Sequence, residues 1–217
     1  MISFKDLLVI IIMIVILYDI YQLITRRTIF IPAEKADKIC SGKGGERLQL
    51  TEIEYNEHLT EVTEALDSGG FLTVQSSGEL NTMTIGWASL GIIWRVPMLL
   101  VLVRESRHTF KLIEKADEFT VSIPFSGLEE ELEFCGSRSG RNYDKFAECD
   151  LEKLSGNEVH TPLIGGCDVH YECSLEYSQS MDKELVESEV LEDCYPDWDL
   201  HTLYFGRILN CLREETG

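Results

Sequence analysis

Apolar positions along the chain form first one unbroken run, then a helical repeat, then a series of short alternating stretches. Leu7 to Leu17 is continuously apolar, and from Leu7 to Ile24 only Asp19 and Gln22 are strongly polar. Tyr18 and Tyr21 flank the end of this stretch and Arg26-Arg27 follow it. The pattern predicts an N-terminal hydrophobic helix within residues 1–27, with residues 7–24 as a membrane tether. It is short beside the ~20 residues of a full span. Tyrosines at headgroup level and a basic pair beyond them place the rest of the chain on the cytoplasmic face. A cleavable signal peptide is the rival reading, but no small-x-small site follows; an extension from an upstream start codon is another. Residues 28–50, with Pro32, Gly42, Gly44 and Gly45 among charges, read as a linker to a domain at 51–217.

Within that domain, Leu59, Val62 and Leu66 repeat at helical spacing and Gly69-Gly70 stops the helix near Asp67 or Ser68. Short β-rich runs follow at 71–75, 83–89, 98–103 and 119–124, with a hairpin turn at 76–79. "CDVHYECSLEY" (167–177) alternates, which predicts a strand with Cys167, Val169, Tyr171 and Cys173 inward and Asp168, His170 and Glu172 on an exposed polar face. A last strand is expected at 202–212, and short helices at 109–116 and 128–134. Six or seven short strands with few helices predict a mainly β barrel or sandwich with helical additions.

Composition narrows the function. The 217 residues are 44% hydrophobic, enough for a core, and carry a formal net charge of -19. Such acidity repels a phosphate backbone, so nucleic acid is not an expected partner and any polyanion site must be local. The seven cysteines, at 40, 135, 149, 167, 173, 194 and 211, include no CxxC. Neither a disulfide framework nor a zinc ribbon is expected.

Two clusters break the acidic trend. "RESRHTFK" places Arg104, Ser106, Arg107, Thr109 and Lys111 between a strand and a helix, and "CGSRSGRNYDKF" gathers Arg138, Ser139, Gly140, Arg141 and Lys145. Cations, hydroxyls and a helix start suit a phosphate, and Gly136 and Gly140 let the backbone approach an anion. Charges offsetting nearby glutamates are the plainer reading. The GxxxxGK[ST] pattern is absent, as is GxGxxG after a strand, which argues against a nucleotide triphosphatase and a Rossmann unit.

"NTMTIGWAS" (81–89), "VLVRESRHTFKLIEKADEFTVSIP" (101–124), "CGSRSGRNYDKF" (135–146) and "HTLYFGRI" (201–208) together resemble, in order and spacing, the flavin reductase-like family that includes flavoredoxins. The likeness covers roughly residues 55–212. It implies an FMN-binding split β-barrel, usually a homodimer, in which the anion is the FMN phosphate. The implied flavin contacts are Asn81, Thr82, Met83, Thr84, Ala88, Ser89, Arg104, Ser106, Arg107 and Thr109, completed by Ser139, Gly140, Arg141 and Lys145. Trp87 and Trp94 either pack beside the ring or belong to the core.

The implied activity is oxidoreduction, with NADH, NADPH or a small redox protein as donor and an unidentified acceptor; flavin relay or storage without turnover is the alternative. An interaction domain that has lost its ligand is a third. No catalytic base is assigned, because the five histidines are scattered and flavin chemistry needs no triad. No metal site is expected: Asp168, His170 and Glu172 are read as an exposed face. Cys135 is read as a small buried hydrophobe rather than a redox thiol, and the acidic helices at 128–134 and 182–194 as solvated faces rather than docking sites for a cation.

Overall fold

A computed structural model describes residues 39–41 and 47–216. The expected N-terminal helix and most of the expected linker lie outside the described residues, whose compact unit is Lys38–Gly217. Strand β1 (Ile39–Ser41) falls inside the expected linker, and strand β2 (Arg47–Glu52) begins within it and crosses the expected domain boundary. β2 is drawn into the sheet by pairing with the C-terminal end of the chain, a long-range contact that local composition does not reveal.

Then come α1 (Leu59–Ala65), β3 (Gly70–Ser76), β4 (Glu79–Ile85), β5 (Ala88–Ile93) and β6 (Val96–Arg104). They are followed by α2 (His108–Ile113), β7 (Glu118–Ile123), α3 (Glu129–Ser137), α4 (Lys145–Glu148) and the short pair β8 (Lys153–Leu154) and β9 (Leu163–Ile164). β10 (Val169–Ser180), a 3-10 turn (Lys183–Leu185), α5 (Ser188–Cys194) and β11 (His201–Thr216) complete the described chain.

The fold is mainly β, as expected, but the main sheet has nine strands rather than six or seven, because β1 and β2 join it and the run at 83–89 divides. Gly86 and Trp87 interrupt that run, leaving its start in β4 and its end in β5. The β3–β4 hairpin turns through Ser77 and Gly78 at φ 53° and 81°, left-handed values suited to a tight hairpin.

β11 is the organising strand. It pairs with β10 on one side, while on the other its first half meets β6 and its last residues meet β2. Beyond β10 the order continues through β7 and β3 to β4. No ladder joins β4 to β6 among the described residues, so the curled sheet stays open there. This is a split barrel. Its interior is filled by Leu72, Val74, Leu99, Val101, Phe119, Val121, Tyr171 and Tyr204, all fully or almost fully buried.

A second cluster, Phe71, Leu132, Cys135, Phe146, Leu151 and Ile164, packs α3 and α4 on the other face of β3. It fixes the basic loop between those helices beside β4.

One face prediction fails. His170 and Glu172 are 0% exposed, so β10 is buried on both sides over its first residues. Glu172 Oε1 accepts from the N–H groups of Asn157, Glu158 and Val159 at 2.8, 2.9 and 3.1 Å, and Oε2 from Asn210 Nδ2 at 3.0 Å. A loop folded over the strand thus covers the polar face and supplies the donors a buried carboxylate needs.

Candidate flavin site

The two basic clusters converge, and each grips the other. Arg107, the residue before α2, donates from Nη1 to Gly136 O at 2.9 Å. Arg141 returns the contact from Nη2 to Ser106 O at 3.2 Å. Charge-assisted bonds to carbonyls hold both turns at one distance and leave the remaining guanidinium N–H groups available.

Between the turns lies a cavity of about 130 Å³. Its wall carries Arg107, Arg138, Arg141 and Lys145, the hydroxyls of Ser106, Thr109, Ser137 and Ser139, and no carboxylate. In a chain of net charge -19 that concentration of cations is a local reversal of sign. The Arg138 guanidinium has no protein partner among the described residues. The cavity therefore fits a phosphate, with room for the near end of a polyol chain but not for a tricyclic ring.

Asn81 forms the floor. It is 5% exposed and donates from Nδ2 to Thr109 Oγ1 at 2.8 Å, tying β4 to α2. Gly140 lies against it: a Cβ there would stand 2.7 Å from Asn81 Cγ and 2.9 Å from His108 Cδ2, inside contact distance. Glycine at 140 is thus a condition of the cavity's shape. Because α2 has only six residues, its dipole adds little beside the arginines.

Lys145 is 4% exposed and spans the site from beneath. Its Nζ donates to Thr82 O at 2.9 Å and to Cys135 O at 2.6 Å, joining β4 to α3. Burial, together with the Arg107 charge, lowers its affinity for a proton, and the carbonyls offset this by favouring the ammonium. Burial pushes the Cys135 thiol up to about 12, so it is protonated at neutral pH.

Not every predicted contact faces the cavity. The Thr82 side chain bonds to Thr73 Oγ1 and Leu72 O, on the opposite face of β4. Thr84 Oγ1 donates to Leu132 O at 2.5 Å and braces α3. Ala88 and Ser89 lie on β5, away from the cavity. Arg104 spends Nη1 on Asp199 O at 2.7 Å and Nη2 on Cys194 O at 3.0 Å, and Ser106 Oγ donates to Asp199 Oδ2 at 2.6 Å. Arg104 holds the segment before β11, and Ser106 reaches both that segment and the cavity. Met83 faces the cavity and also the groove next to it.

That groove, about 170 Å³, is lined by Met83, Thr84, Trp87, Arg104, Arg107 and His201 among others. It shares Met83 and Arg107 with the cavity between the turns. Trp87 is 43% exposed, with its ring 4.8 Å from that of His201. His201 Nδ1 pairs with Tyr195 Oη at 2.8 Å. Burial, reinforced by Arg104, lowers the His201 pKa to about 4, so the imidazole is neutral at pH 7.

His201 and Tyr195 were not legible as site residues. His201, which the "HTLYFGRI" motif does contain, reaches the groove only because β11 pairs with β6, and Tyr195 stands behind it through the contact to Nδ1. Trp94 sits in the β5–β6 turn at φ 53°, against Tyr177 and Phe205, and lines neither space.

Comparison with known proteins gives one consistent picture. The family model of the flavin reductase like domain matches residues 70–217. The chain is 24% identical over 140 residues to an uncharacterized protein of Pyrococcus abyssi, covering 64% of this chain and 70% of that one. The structure of a flavoredoxin from Methanosarcina acetivorans is similar with a TM-score of 0.53 at 26% identity, covering 68% of each chain. The fold is shared with an NADH:FAD oxidoreductase of Streptomyces globisporus, with a TM-score of 0.52 at 18% identity over 76% of this chain and 90% of that one.

Proposed function

The chain belongs to the flavin reductase-like domain family, and from that premise we propose that it is an FMN-binding oxidoreductase whose phosphate seat is the cavity between the two arginine turns. The observation that carries this reading is the carboxylate-free wall of Arg107, Arg138, Arg141 and Lys145 in a strongly acidic protein. Bound flavin supplies hydride and single-electron transfer through its own ring system.

The protein's tasks are binding and orientation. Arg107 and Arg141 hold the monophosphate, with Arg138 adding charge and Ser139, Thr109 and Ser106 adding hydroxyl contacts. Asn81 and Gly140 set the depth of the seat. The groove of Met83, Trp87 and His201 continues from it and receives the ring, where the neutral imidazole adds no positive charge. Arg104 acts at one remove, by pinning Cys194 and Asp199 so that Tyr195 orients His201. Electrons come from NADH, NADPH or a small redox protein, and the working unit is a homodimer tethered to the cytoplasmic face of a membrane by residues 7–24.

The test is absorbance of the purified protein, followed by titration of the flavin-free form with FMN and riboflavin. Riboflavin lacks the phosphate, so FMN is expected to bind at least tenfold tighter. Equal affinity, or no binding of either, refutes the phosphate seat. Turnover of NADH or NADPH separates the enzyme from a flavin carrier, which binds the cofactor without steady-state oxidation of the donor.

A further inference from the structure

Two thiols meet beneath the second basic turn. Cys135, in the last turn of α3, is 1% exposed; Cys149, the residue that closes α4, is half-buried and packs against the same apolar cluster. A side-chain hydrogen bond joins the two, with the Cys135 thiol as donor and the Cys149 sulfur as acceptor. Both are free thiols.

Their backbones are tied through a single residue. Lys145 Nζ donates to Cys135 O at 2.6 Å and Lys145 O accepts from Cys149 N at 3.1 Å, so the contacts run from Cys135 through Lys145 to Cys149 and back through the sulfurs. The next carbonyl along, Gly136 O, holds Arg107 Nη1 at 2.9 Å. Between the two cysteines lies the whole basic turn, with Arg138, Ser139, Gly140 and Arg141. A bond between the sulfurs closes that turn into a loop.

We propose that Cys135 and Cys149 form a reversible disulfide that locks the basic turn, so that oxidation slows release of the flavin phosphate. The cross-link itself stands on the thiol pair; its effect on release rests on the flavin reading above. Either cysteine alone would be a packing residue, and it is the approach of α4 to α3 that gives Cys135 a partner.

The oxidant is hydrogen peroxide, and Cys149 reacts first because it is the less buried thiol. Burial raises its pKa, the hydrogen bond from Cys135 lowers it, Glu131 and Glu148 raise it, and the Lys145 charge lowers it. The Cys149 thiolate attacks one peroxide oxygen, the O–O bond breaks, and hydroxide leaves to take up the proton that the thiol has released, giving a sulfenic acid and water. The Cys135 sulfur then attacks the Cys149 sulfur, and the sulfenic hydroxyl departs with the Cys135 proton as a second water. Two electrons pass from the thiols to the peroxide. Cross-linking removes conformations open to the turn once its ligand has gone, which favours the closed, gripping form.

The full chain is treated with graded hydrogen peroxide in its native form and as Cys149→Ser, and the cross-link is mapped by mass spectrometry of non-reduced peptides; FMN release is timed by fluorescence. The serine is nearly isosteric at a half-buried position, so the variant keeps the fold. A Cys135–Cys149 disulfide is expected in the folded native chain, reversed by dithiothreitol and absent from the variant. FMN release should slow at least about fivefold on oxidation of the native chain alone. Oxidation of Cys149 to a sulfinic acid without cross-linking, or cross-linking only in urea, overturns the proposal. A disulfide that leaves FMN release unchanged overturns the lock. Failure to bind FMN in either redox state, with the disulfide formed, removes the flavin reading and upholds the thiol pair.

Discussion

Replacing Gly140 by alanine tests the architecture of the site at its tightest point. The new methyl would stand 2.7 Å from Asn81 Cγ and 2.9 Å from His108 Cδ2, and closer still to Asn81 Oδ1. Asn81 is 5% exposed and anchored to Thr109 at 2.8 Å, so it cannot swing aside without leaving a buried hydroxyl short of a partner. Overpacking of this kind costs about 1–3 kcal/mol, and the broken Asn81–Thr109 bond falls in the same range. A loss near 2 kcal/mol lowers Tm by roughly 4–8 °C for a domain of this size.

The measurement is thermal unfolding by circular dichroism, with FMN affinity read in parallel by fluorescence quenching. Gly91→Ala is the control, because a Cβ there meets nothing within 4 Å. The strain should also be conditional: in an Asn81→Ala background, Gly140→Ala should cost less than half as much, since neighbouring residues couple. Gly140→Ala with Tm and FMN affinity both unchanged would refute the contact between the basic turn and β4.

Arg107→Ala removes a charge-assisted bond and should weaken FMN by about 1.5–3 kcal/mol while leaving riboflavin affinity unchanged; calorimetry of both ligands checks it, and equal losses would place Arg107 outside the seat. Glu172→Ala strips the acceptor from three backbone N–H groups and Asn210, and should cost at least about 3 kcal/mol in urea unfolding. His201 carries a folded pKa of about 4 against an ordinary histidine value of 6.5, so the unfolded chain binds more protons in that window. Its contribution is therefore present above about pH 6.5 and lost as pH falls toward about 4, and His201→Gln should flatten the stability profile across that range. Arg104→Ala should loosen the segment from Cys194 to Asp199, seen as faster amide exchange there, while FMN affinity changes less than in Arg107→Ala.

Local chemistry by itself settles much of this protein. Alternation in residues 167–177 marks a strand, Ser77-Gly78 marks a hairpin, and two groups of arginine, serine and glycine stand out against an acidic background. Those signals are short-range, depending only on side-chain periodicity, turn conformation and charge. The tertiary structure alone decided which groups face the cavity, because a β-strand sends neighbouring residues to opposite sides: Asn81 and Met83 line it while Thr82 bonds to Thr73. It also decided that β2 belongs to the sheet, that Glu172 is covered by a loop, that Arg104 serves a distant segment, and that His201 meets Trp87. Each depends on partners brought together by chain closure and desolvation, which the order of residues along one strand does not encode.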